Sequence, residues 1–108
     1  MKITTIPLAR REMLRAARRY EREKPKLGDR FPDAVRDGLI AILEFPTAHP
    51  PIFGSPYRRK LLTSFPFALV YLIEEDEIVV IAVANSSRKP RYGPPLIGIT
   101  LRRFSESV

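Results

Sequence analysis

The chain has 108 residues, 44% hydrophobic and 29% charged, a balance that fits one folded domain with a modest core. Its 19 Lys and Arg outnumber 12 Asp and Glu, and the resulting charge of +7 favours an anionic partner such as nucleic acid, the ribosome, an acidic membrane surface or an acidic protein. The lack of cysteine rules out disulfides, Cys-ligated zinc and a thiol nucleophile, and a single histidine, His49, makes Ser-His-Asp catalysis or a multi-histidine metal site hard to build.

Lys2 to Ile6 is short and β-branched, as suits a first strand. Pro7 ends it and fits the first turn of a helix. From Leu8 to about Glu23, the residues Ala9, Met13, Ala16, Ala17 and Tyr20 recur at helical spacing. Opposite them, Arg11, Arg15, Arg18 and Arg22 form a cationic stripe. Such a stripe reads first as a solvated helix face, although an acidic partner would relieve its mutual repulsion. No signal-peptide core can form across Thr4, Thr5, Pro7 and the charges that follow, so the cytoplasm is the expected location.

The run Lys24-Pro25-Lys26-Leu27-Gly28 breaks this helix, and Asp29 is expected to cap the next. Phe31, Ala34, Val35, Gly38, Leu39, Ile42 and Phe45 mark a second amphipathic helix that ends at Pro46. So short a connection predicts an antiparallel helix hairpin, with Gly38 at a close approach to the first helix or the sheet. A proline-rich loop, Thr47 to Pro56, carries His49 as a surface histidine with no role.

Tyr57 to Phe65 reads as a strand, and Pro66 as a turn or bulge before Phe67 to Ile73. The runs Phe67 to Ile73 and Ile78 to Ala84 are apolar on both alternating faces, as central strands are. Between them, Glu74 to Glu77 is expected to form a four-residue hairpin tip that holds no metal. Residues 93–108 are either one more edge strand, around Leu96 to Leu101, or a loose tail. No stretch reaches the ~18 apolar residues of a membrane helix. The order β-α-α-β-β-β predicts an α+β fold, with a two-helix hairpin on a small, mainly antiparallel sheet.

The landmarks of this order are Phe31, Ala34, Leu39, Phe45-Pro46, Arg58-Arg59-Lys60-Leu61-Leu62, Phe65-Pro66-Phe67, Tyr71, the Glu75-Asp76 turn, Ile78 to Val83, Arg88-Lys89-Pro90 and Tyr92. As an ordered set they resemble the RelE/ParE superfamily of toxins from type II toxin–antitoxin modules. The resemblance implies a growth inhibitor held in check by a labile antitoxin, in a toxin–antitoxin hetero-oligomer, with no cofactor and no metal. One branch, RelE-like, cuts messenger RNA in the ribosomal A site. The other, ParE-like and associated with plasmid stabilisation, inhibits DNA gyrase. This chain has Asn85 where many relatives carry His, Ser87 where a second Arg is frequent, and Gly93-Pro94-Pro95 in place of the usual Trp. Loss of a general acid or base at position 85 favours the ParE-like branch.

Were the chain a nuclease, the resemblance would make Arg59 and Arg88 phosphate clamps, since a guanidinium can hold two phosphate oxygens at once. Tyr92 or Lys60 would then move protons, each needing a strong shift from the ordinary values of ~10 and ~10.4. For binding an antitoxin or a target, the expected residues are Arg11, Arg15, Arg18, Arg22, Arg58, Lys89 and Arg91. Strand alternation already restricts the cluster: Arg58 and Lys60 share one face and Arg59 takes the other, unless a bulge intervenes. A basic binding module of the same fold without activity is the reading from a different class.

Overall fold

A computed structural model describes residues 1–86, and the expectations on Ser87, Arg88, Lys89, Arg91, Tyr92 and the segment 93–108 lie outside the described residues. The order is β1 (Lys2–Thr5), α1 (Pro7–Glu23), α2 (Leu27–Glu44), β2 (Arg58–Leu61), β3 (Phe67–Glu74) and β4 (Glu77–Asn85). It is the α+β arrangement expected from the sequence. The sheet order is β1-β4-β3-β2, with β1 parallel to β4 and the other pairs antiparallel. Both helices lie on one face.

Pro7 starts α1 where its missing N–H costs nothing. The turn into α2 departs from expectation, because Asp29 lies inside the first helical turn and is not its cap. The Glu21 carboxylate of α1 instead accepts the Gly28 N–H at 3.1 Å and the Lys26 N–H at 3.1 Å, satisfying donors at the start of α2. Gly28 makes this possible: a Cβ there would sit 2.7 Å from the Ala17 carbonyl oxygen. Gly38 approaches the sheet as anticipated, with its Cβ position 2.9 Å from Leu69 Cδ1. There the obstacle is the end of a flexible side chain.

The helix-side core holds Ala9, Ala16, Phe31, Val35 and Ile42 against Leu69, Tyr71, Ile78, Val80 and Val83. Edge-to-face ring pairs tie the helices to β3 and to the turn before it, with Phe31–Phe67 centroids at 5.1 Å and Tyr20–Phe65 at 4.9 Å. A second cluster, Tyr57, Val70, Leu72, Val79, Ile81 and Ala82, occupies the other face of the sheet. Burial on both faces explains why β3 and β4 are apolar at every position.

Three local features differ from the sequence reading. Strand β2 ends at Leu61, short of Phe65, because Leu62 N–H closes onto Phe67 O at 2.9 Å and Ser64 turns with φ 70°. The β3–β4 hairpin turns on two residues, not four: Glu74 pairs with Glu77, and Glu75 takes a left-handed φ of 50°. The register between β3 and β4 also slips, with Val70 opposite Ala82 but Tyr71 opposite Val80, so Ile81 is an extra bulged residue. This bulge brings both Val80 and Val83 to the helix side, three residues apart, and sends Ile81 and Ala82 to the other.

Candidate functional site

The register of β2 decides how its cations are distributed. Arg58 pairs with Tyr71, Arg59 with Val70, Lys60 with Leu69 and Leu61 with Ala68, with no slip. Directly paired residues share a face, and Tyr71 and Leu69 belong to the helix-side core while Val70 belongs to the opposite one. Arg58 and Lys60 therefore face the helix side and Arg59 the other. The bulge that could have gathered the three into one pocket lies instead in β4.

Arg58 is engaged within the chain. Its Nη1 donates to the His49 carbonyl at 2.7 Å and to the Thr47 carbonyl at 3.1 Å. Beside it, the Tyr71 hydroxyl donates to the Pro46 carbonyl at 2.6 Å. The His49 imidazole, half-buried rather than a free surface group, has Nε2 3.3 Å from the Ala41 carbonyl near the end of α2. The loop's own backbone then joins β2, with Arg59 N–H bonded to Pro50 O at 3.1 Å and Ile52 N–H to Tyr57 O at 2.8 Å. The proline-rich loop is thus latched along the outer edge of β2, where Pro50 and Pro51 blunt further strand pairing. Arg58→Ala should cost about 1–2 kcal/mol and speed amide exchange in residues 47–57. Unchanged exchange there would mean that the latch does not hold the loop.

Burial pushes the Tyr71 hydroxyl upward from its ordinary range, partly offset by Arg58. Burial first, and then the charge of Glu74, push Tyr57 up to about 12. Both tyrosines stay protonated at neutral pH, so neither serves as a base.

On α1, Arg11, Arg15, Arg18 and Arg22 are all exposed, and the periodicity places them along the helix side opposite the core. Among the described residues none of them forms an ion pair; the pair found there is Arg36–Asp33. The sequence reading missed Glu12. This half-buried carboxylate of α1 accepts the Val83 N–H at 3.1 Å, where β4 has run past the end of β1. Burial raises its pKa above the ordinary 4.5, against the lowering effects of that hydrogen bond and of Arg15. Its spacing would have marked it only as one acid among the arginines.

Between the two helices and the sheet lies a cleft of about 120 Å³. Leu69, Val80 and Val83 form its floor, Met13, Val35 and Leu39 its walls, and Thr5 and Arg10 its polar margin. No group of three or more His, Cys, Asp or Glu side chains that could hold a metal occurs among the described residues. No described helix is long and apolar enough to cross a membrane.

The sequence profile of the ParE toxin of the type II toxin-antitoxin system, parDE, matches residues 5–90. The chain belongs to the ParE toxin family. Among solved structures, a chain of the chromosomal ParDE TA system from P. aeruginosa matches with a TM-score of 0.62 at 14% identity. The match covers 79% of this chain and 95% of that one. At that identity the likeness establishes the ParE-like fold. No curated protein sequence matches the chain. Within the ParE fold, the strand cations divide between two faces, as alternation requires in the absence of a bulge in β2, while the α1 arginines are all exposed along one helix.

Proposed function

We propose that this ParE family member is a cytoplasmic growth inhibitor that acts on DNA gyrase and is neutralised by an acidic antitoxin. Membership of the ParE toxin family, from the match over residues 5–90, carries the reading. The strand register supports the choice of gyrase over RNA cleavage: a metal-free nuclease needs phosphate clamps and a proton carrier converging on one phosphate, and Arg59 projects away from Arg58 and Lys60. Asn85 closes β4 opposite Phe67, where an imidazole would have supplied a group that titrates near neutrality.

In this reading the exposed face of Arg11, Arg15, Arg18 and Arg22 receives the acidic antitoxin, forming a hetero-oligomer of toxin and antitoxin that serves plasmid stabilisation. Arg59, together with Arg88, Lys89 and Arg91, meets the target. Induction of the chain alone in bacteria should arrest growth, and co-expression of the acidic protein encoded beside it should restore growth. Arg59→Ala and Arg88→Ala should each weaken the arrest by at least about tenfold in the inducer needed, with melting unchanged. Full toxicity in both variants would make these positions ordinary surface, and uninterrupted growth with the unmodified chain would remove the toxin reading.

A further inference from the structure

We propose that the chain's own residues 96–101 cover the apolar face of the sheet opposite the helices, running back across it from the end of β4. Val70, Leu72, Val79, Ile81 and Ala82 form that face with Tyr57, and none of them is more than 7% exposed. The helices contribute nothing to it, since their buried apolar side chains belong to the cluster on the other side. Among the described residues, the hydrophobic side chains laid against this face are Ile6 and Ile52. Ile6 stands at the β1 margin, its N–H bonded to Val80 O, and Ile52 at the β2 margin, its N–H bonded to Tyr57 O. The two central strands between these margins are dry with no described group laid over them. A sheet face two strands wide leaves water only under a second layer.

Length, direction and charge single out this segment. Strand β4 ends at Asn85, and the next N–H, of Ser86, bonds to Pro66 O, so the chain leaves the sheet at the end away from the β3–β4 hairpin turn. Gly93-Pro94-Pro95 suits a reversal. Leu96, Ile97, Ile99 and Leu101 then mark an apolar run of six positions, about 20 Å when extended. The strip of β4 from Ala84 back to Val79 is also six residues, and so about as long. Laid along it, the run puts Arg102 and Arg103 just past Val79. There Glu77 and Glu74 stand opposite each other, on the side that Val79 and Leu72 take. Among the described residues neither carboxylate is in an ion pair, so the two arginines meet an acidic rim that complements them. The same path brings Arg88, Lys89 and Arg91 toward the side of the sheet that Arg59 takes, where the gyrase reading needs them; the cover itself does not depend on that reading.

Methyl–methyl nuclear Overhauser contacts in the full chain, with its Ile, Leu and Val methyls labelled, test the cover directly. The expected contacts join Ile97, Ile99 or Leu101 to Val70, Val79 and Ile81. They should persist in a sample diluted with unlabelled chain, where contacts between molecules fade. Contacts that fade there would make a second copy's segment the cover and overturn the proposal. So would contacts confined to Ile3 at the β1 edge, the sign of an added edge strand, or no contacts at all, the sign of a loose tail. Ile99→Ala should lower the melting temperature by roughly 8 °C or more, and unchanged melting would count equally against the cover. Arg102→Glu combined with Arg103→Glu should lower it by a few degrees, an effect lost in about 1 M salt; a fall that salt leaves untouched would contradict the placement of these arginines at the hairpin turn. Growth arrest and supercoiling report on the toxin reading alone, so either proposal can fail without the other.

Discussion

Gly28→Ala should destabilise the protein by about 2 kcal/mol, although alanine is the better helix former. The added methyl would lie 2.7 Å from both the Ala17 carbonyl oxygen and Glu21 Cβ. Neither can yield without moving α1, because one is backbone and the other is the first atom of a side chain. Separation of the helices would also lengthen the bonds from Lys26 and Gly28 to the Glu21 carboxylate, which serve as the cap of α2. In a domain of this size the loss corresponds to a fall in melting temperature of roughly 8–16 °C. Gly38→Ala is the control. Its nearest obstacles are Leu69 Cδ1 at 2.9 Å and Leu62 Cδ2 at 3.0 Å, methyl ends that can rotate aside. The helix-propensity gain of about 1 kcal/mol should offset that adjustment and leave melting nearly unchanged. Equal effects at both glycines would show that the close packing of α1 on α2 is not what demands Gly28.

The second large effect is expected at Glu12. Glu12→Ala removes the carboxylate that accepts the Val83 N–H and should cost about 1–3 kcal/mol, the penalty of a buried donor left unpaired. Glu12→Gln keeps a carbonyl acceptor and avoids burying a charge, so it should be nearly neutral or stabilising at pH 7. Proton linkage separates the two roles. Burial raises the folded-state pKa of Glu12 above 4.5, so the folded protein holds this proton more tightly than the unfolded chain. The cost of ionised Glu12 is full above the raised pKa and is relieved as pH falls toward 4.5. The unmodified protein should therefore gain stability relative to Glu12→Gln over that interval, as read from denaturant midpoints. A difference independent of pH would show that Glu12 is not held in a desolvated position.

Much of the fold could be read from the residues because the needed signals are local or periodic. The helical spacing of Ala9, Met13, Ala16 and Tyr20, and the doubly apolar runs of β3 and β4, each follow from a single element. Gly38 announced a close approach through its cost in a helix interior. What escaped depended on partners remote in sequence. Asp29 looked like a cap because it lies beside the helix start, whereas Glu21 performs that task from the preceding helix. The parallel pairing of β1 with β4 joins residues more than seventy positions apart, and nothing in Lys2–Thr5 specifies its neighbour. Glu75 turns the hairpin without the usual Asn or Gly, so the residue types alone suggested a longer tip. The bulge at Ile81 falls in an unbroken apolar run, where a face change leaves no mark on the pattern.

The candidate site divides along the same line. Alternation correctly separated Arg59 from Arg58 and Lys60, because a strand's period is a local property. The use of Arg58 as a latch on Thr47 and His49 could not be read, since it depends on how the proline-rich loop folds back. The cleft between the helices was equally hidden, being built from five separate elements and a register slip.

The most direct test of the proposed function is DNA supercoiling by purified gyrase in the presence of the purified chain. At stoichiometric amounts the chain should block supercoiling, and an acidic antitoxin added first should prevent the block. Supercoiling that proceeds unimpaired with the chain in excess would contradict gyrase as the target.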